Sequence, residues 1–136
     1  MRKILSNKRG DGYIEIAVAV LVIAFILLLL ISVWSLITLK QDMRYMCGEL
    51  IDTATKTGKV GSEVYSRFSE LCAESGIMPE IEFTATYFDA LSGKVQLGDV
   101  ISCKLTHNLV LKGFGGFTLP ISVTVEQSGL SRIYWK

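Results

Sequence analysis

From Ile16 to Leu39 the chain carries no charged residue. A hydrocarbon core about 30 Å thick takes roughly 20 helical residues to cross, so this run predicts a membrane-spanning helix. The apolar positions then continue past it at helical spacing, at Met43, Met46, Cys47, Leu50, Ile51 and Ala54, interrupted by no Pro and by one Gly, Gly48. The two stretches together predict a single helix from Tyr13 to about Thr57, on the order of 65 Å long at 1.5 Å per residue. Gly58-Lys59-Val60-Gly61 breaks it. Ser62 is a candidate N-cap for a second helix, Glu63 suits the positive end of its dipole, and Val64, Phe68, Leu71 and Cys72 share a face. Gly76 and Pro79 close that helix. The pair predicts an antiparallel helical hairpin.

At Glu80 the period changes from 3.6 to 2. Ile81, Phe83, Ala85 and Tyr87 alternate with polar neighbours, as do Ile101, Cys103, Leu105, His107, Leu109 and Leu111, and a third run sets Leu119, Ile121, Val123 and Val125 on one side. Alternation of this kind marks strands with one buried face. It predicts a three-stranded antiparallel meander with turns at Asp89 to Gly93 and Lys112 to Gly116, and room for a short extra strand near Lys94 to Leu97. The fold class is therefore α+β: a long N-terminal transmembrane helix that extends into an αα-hairpin packed on a three- to four-stranded antiparallel sheet. Three segments follow, a basic leader over 1–10, the span over 11–39 and an extracytoplasmic head over 40–136. That head is large enough for one small domain.

Charge refines the topology. Four of the fourteen basic residues, Arg2, Lys3, Lys8 and Arg9, precede Gly10, so the rest of the chain holds more acid than base despite the formal net charge of +1. A basic cluster just before a span keeps that end in the cytoplasm, which predicts a single-pass cell-membrane protein with its C-terminal domain outside. The mild acidity of the remainder argues against nucleic acid as a partner. A secretory signal has a shorter apolar core and a small-residue cleavage site after it; Thr38-Leu39-Lys40-Gln41-Asp42 offers none.

Few residues suggest chemistry. The three cysteines are odd in number, which leaves at least one unpaired. Cys47 and Cys72 lie at similar distances from the turn at Lys59 and Val60, so folding the hairpin brings them level and makes a disulfide between them possible; the alternative is two small apolar core residues. Cys103 and His107 fall in phase on the apolar strand face, and His107 reads as structural. No paired Cys-x-x-Cys, nucleophile motif or acidic pair is present, and Gly113-Phe114-Gly115-Gly116-Phe117 lacks the glycine order of a nucleotide loop. No metal, cofactor or enzymatic activity is expected. Phe114 and Phe117 suit either a partner contact or a place under the sheet, and Tyr134 and Trp135 suit either an interface or the core.

The remaining signal is the junction Gly10-Asp11-Gly12-Tyr13-Ile14-Glu15. An ionisable group at the edge of hydrocarbon is costly to keep and points to function by default. A short basic leader ending in Gly10, with Glu15 fifth after it at the head of an apolar helix, resembles the processing site of type IV pilin-like precursors. The chain also resembles the TadE-like, tight-adherence branch of these proteins and a family of uncharacterised pilin-like proteins of Gram-positive bacteria and their conjugative elements. Its short leader, small α+β head, Gly98-Asp99-Val100-Ile101 and C-terminal Ser-x-x-Tyr-Trp-Lys from Ser131 to Lys136 carry that likeness. Where those proteins usually begin the mature chain with an apolar residue, this one has Asp11.

The resemblance implies cleavage between Gly10 and Asp11 by a prepilin peptidase and an assembly role for Glu15. It also implies partnership with sibling subunits, a membrane platform protein and a secretion ATPase within the lipid bilayer. A pilin-like or pseudopilin-like structural subunit of a type IV pilus, tight-adherence or conjugation-related surface apparatus is the expectation. A permanently anchored extracytoplasmic interaction module is the alternative.

Overall fold

The structure, a computed structural model, describes residues 11–112 and 116–136. The chain divides into two units, with the boundary after Ile37. Helix α1, Asp11–Thr57, begins in the first and ends in the second. In the first unit its apolar side chains, among them Leu21, Phe25, Leu29 and Trp34, are exposed on all sides, and the helix is long and apolar enough to cross a membrane. A helix apolar all round needs an apolar environment. Ser32, one of two serines in this stretch, donates its hydroxyl to the Leu28 carbonyl at 3.0 Å and so satisfies itself within the helix.

The second unit, Thr38–Lys136, holds the core. There α1 presents Met43, Met46, Cys47, Leu50, Ile51 and Ala54, the stripe read from the sequence, and all are buried. Helix α2, Ser62–Ser75, adds Val64, Leu71 and Cys72, with Phe68 against the cluster. Its N-cap is Gly61 rather than Ser62: the Val64 and Tyr65 amides bond the Gly61 carbonyl, and no side chain caps the end. At the other end Gly76 takes the left-handed conformation, φ 71°, and its N–H closes on the Cys72 carbonyl at 2.9 Å. On the outside of the hairpin Arg67 joins Glu49 of α1 to Glu70 of α2. Such exposed pairs contribute little to stability.

Strands β1 (Glu80–Ala85), β4 (Val100–Lys112) and β5 (Thr118–Leu130) form the antiparallel sheet, in the order β1-β4-β5. The register sets Cys103 opposite Phe83 on one side and Gln127 on the other. Beyond Thr106, β4 has left β1 behind and pairs with β5 alone as far as Lys112 opposite Thr118. Ile101, Cys103, Leu105 and Val125 face the helices and are buried, and α2 reaches the edge strand through an edge-to-face contact of Tyr65 with Phe83, centroids 6.1 Å apart.

The short extra strand exists, but it belongs elsewhere. β2 (Tyr87–Asp89) and β3 (Lys94–Val95) make a separate two-stranded hairpin, so the main sheet has three strands, and the first alternating run is split at Thr86. Two local contacts account for this. Asp89 accepts the Leu91 amide and the Ser92 hydroxyl, which folds the turn tightly. The hairpin then spends its outer hydrogen bonds on the α1–α2 loop, Val60 N–H to Gly93 O at 2.9 Å and Val95 N–H to Gly58 O at 2.8 Å. Gly93, φ 67°, is required there because a Cβ would collide with the Val60 carbonyl.

Candidate functional site

Three places hold the residues singled out from the sequence. The first is the start of α1. Helical backbone begins at Asp11, and Glu15 is exposed one turn later, on a stretch whose neighbours Ile14 and Ile16 are equally open. The cleavage junction predicted between Gly10 and Asp11 lies outside the described residues on its Gly10 side. Among the described residues no other element packs on Glu15, so what the carboxylate meets depends on what surrounds this part of the helix.

The second place is the seam between α1 and the sheet. Close approach is possible because the facing residues are small: a Cβ on Gly129 would fall 2.7 Å from Ile51 Cγ2, and one on Gly48 would lie 3.3 Å from Gln127 Oε1. Gln127 donates its amide to the Arg44 carbonyl of α1 at 3.0 Å, fixing the helix across the β4–β5 pair at this level. The same turn of α1 turns Cys47 onto Cys103, and the Cys47 thiol donates to the Cys103 carbonyl at 3.1 Å. Both residues are fully buried. The interaction with Cys47, followed by burial, pushes Cys103 far above its ordinary pKa, while the interaction with Cys103 draws Cys47 downward. Burial alone raises Cys72.

Cys47, Cys72 and Cys103 are all free thiols. The helical hairpin that made a Cys47–Cys72 bridge conceivable is formed, yet the hydrogen bond of Cys47 runs to Cys103, because the small residues at the seam let α1 settle onto β4. Sequence did carry half of this signal. Helical spacing set Cys47 inward and strand alternation set Cys103 inward, but neither period says which residue meets which across the core.

The third place is the C-terminal segment, which works as a strap. Ser131, buried, donates its hydroxyl to the Val95 carbonyl at 2.9 Å, and the Arg132 amide bonds Thr55 O at 3.1 Å. Trp135 exchanges two hydrogen bonds with Gln96, gives its indole N–H to Gly58 O at 3.0 Å, and lies under the Lys94 ammonium, 4.6 Å from the ring centroid. Tyr134 is exposed. Of the aromatic pair, then, Trp135 belongs to the core's edge and Tyr134 to the surface. Phe117 is likewise exposed, His107 is half-buried opposite Val123, and Phe114 lies outside the described residues.

The head offers shallow concavities, one of about 580 Å³ at Leu97, Gly98, Leu130, Ser131 and Arg132 and one of about 320 Å³ between Asp42, Tyr45 and Glu74. In the second, the Ser75 hydroxyl is spent on the Leu71 carbonyl at 2.8 Å. Among the described residues no group of three or more His, Cys, Asp or Glu side chains comes together as a metal site would require.

A family described as a domain of unknown function (DUF4320) matches residues 20–136, and the chain belongs to it. The matched stretch starts inside the apolar run, past Glu15, and includes the whole head. No curated protein and no solved structure matches the chain.

Proposed function

We propose that this family member is a pilin-like or pseudopilin-like structural subunit, non-enzymatic, anchored by α1 with its N-terminus in the cytoplasm and its head outside. A prepilin peptidase removes residues 1–10, and the subunit then assembles with siblings on a platform protein driven by a secretion ATPase, in a type IV, tight-adherence or conjugation-related apparatus. One observation supports the reading: a carboxylate, Glu15, stands five residues past Gly10 and directly before the uncharged run of a helix that continues to Thr57.

The physical logic is one of exchange. A helix apolar all round is content in lipid, and leaves it only for a bundle of like helices that buries the same surface. Glu15 supplies the preference between the two. Cleavage frees an α-amine on Asp11, and in the water-poor interior of a bundle this amine on one copy and the Glu15 carboxylate on another neutralise each other. A charge left unpaired there costs several kcal/mol. The pairing also fixes how far one helix is displaced along the next.

The test is the mature N-terminus. Intact-mass analysis of the protein from membranes of cells that contain the peptidase is expected to show a chain beginning at Asp11. Glu15→Ala is expected to insert normally but to lose co-purification of tagged sibling copies. A chain that keeps its first ten residues, together with undiminished self-association of the variant, overturns the proposal and leaves the permanently anchored interaction module.

A further inference from the structure

We propose that Cys47 and Cys103 form an intramolecular disulfide that staples α1 to the central strand of the sheet, with Cys72 remaining a free thiol. Three observations converge on this pair. The Cys47 sulfur already sits 3.1 Å from an atom of Cys103 itself, its carbonyl oxygen. Both side chains are wholly inside one apolar cluster, Cys47 on the inward stripe of α1 and Cys103 on the inward face of β4 between outward-facing Ser102 and Lys104. The seam around them is held close by Gly48, Gly129 and the Gln127–Arg44 bond, which favours the short Cβ–Cβ approach that a disulfide needs. The opposite shifts of the two thiols, Cys47 down and Cys103 up, each owe most to the other and are in keeping with that proximity.

The reaction is thiol–disulfide exchange, and its oxidant is another disulfide. The Cys47 thiolate attacks one sulfur of the incoming disulfide, releasing a thiol and leaving a mixed disulfide; the Cys103 thiolate attacks the Cys47 sulfur and releases the second thiol. Two S–H bonds are lost and one S–S bond is gained, and the two electrons and two protons reside on the reduced oxidant. Because both sulfurs are buried in the folded head, the exchange takes place while the chain folds, before α1 closes over β4. The bridge then spans 56 residues of sequence across the core, and cross-links that close long segments restrict the unfolded chain most.

The inference shares with the preceding reading only the placement of the head outside the cytoplasm, where disulfide oxidants operate. Its test does not need that placement, so the two stand or fall separately. The full chain, reduced and denatured, is refolded in detergent micelles in a buffer of reduced and oxidised glutathione. Free thiols are then alkylated and the protein is digested without reduction. The expected product is a peptide pair joined through Cys47 and Cys103, with alkylated Cys72. The same pair is expected in Cys72→Ser and is absent in Cys103→Ala. Added reductant is expected to lower the thermal midpoint of the wild-type head by roughly 10 °C and to leave that of Cys103→Ala unmoved. Alkylation of all three cysteines in the refolded wild-type chain, or a bridge that includes Cys72, overturns the proposal.

Discussion

Gly129 shows how much a single missing side chain decides. It stands on β5 beneath α1, where a Cβ would meet Ile51 Cγ2 at 2.7 Å and Thr55 Cγ2 at 2.9 Å. Both obstructing atoms belong to β-branched side chains with little freedom to move aside: Ile51 has one favoured rotamer in a helix, and Thr55 is held by the bond from its hydroxyl to the Asp52 carbonyl at 3.0 Å. Gly129→Ala is therefore expected to lift α1 from the sheet and to destabilise the head by about 2 kcal/mol. The check is a chemical-denaturation midpoint, which falls if the seam is as tight as this. Nothing in the local sequence marks Gly129. Its meaning depends on two residues more than seventy positions away, which no local pattern reports. The same holds for Cys103: alternation set it inward, and only the seating of α1 gave it Cys47 as a neighbour.

At the level of elements, the strap after β5 is the part that periodicity left silent. Residues 131–136 have no repeat, and their work is done by individual hydrogen bonds: Ser131 to Val95, Arg132 to Thr55, Trp135 to Gly58 and Gln96. These tie the C-terminus to the end of α1 and to β3. Gly58 makes the arrangement possible, with φ 65° and Ile133 so near that a Cβ would fall 2.5 Å from that side chain's own Cβ. Trp135→Ala is expected to destabilise the head by about 2 kcal/mol, less than the loss at a fully buried aromatic because the ring is half-exposed. Tyr134→Ala, one position earlier and 65% exposed, is expected to stay within about 0.5 kcal/mol of wild type. Equal effects in the two variants, measured by thermal unfolding, would remove the strap's assigned role. By contrast α2 and the long strands were legible in advance, since their burial follows periods of 3.6 and 2. Gly61 in place of Ser62 as the cap, and the β2–β3 hairpin apart from the main sheet, were not, because both follow from contacts with the loop between the helices.

At the scale of the molecule, every buried core residue among the described residues lies at or beyond Met43, inside the unit Thr38–Lys136. The head thus owns its hydrophobic core, and residues 38–136 expressed alone are expected to be soluble and to unfold in one cooperative thermal transition. Aggregation, or a gradual loss of helical circular dichroism without a transition, would show that the head borrows stability from the first unit. An uncharged run long enough to span a bilayer is a property of composition, and the change from helical to strand period is a property of spacing; both are written locally, so sequence alone determined the long apolar helix, the α+β class and the inward stripes of α1 and α2, whereas Tyr87 and Leu119, in phase with buried residues, are exposed because the helices do not reach them. Partnerships across the core are of another kind. The meeting of Cys47 with Cys103, the closeness of α1 over Gly129 and the clasp of Trp135 on Gly58 each require residues far apart in the chain to arrive at one depth and one rotation. That choice is made by side-chain volumes packing together in three dimensions, and only the tertiary structure records it.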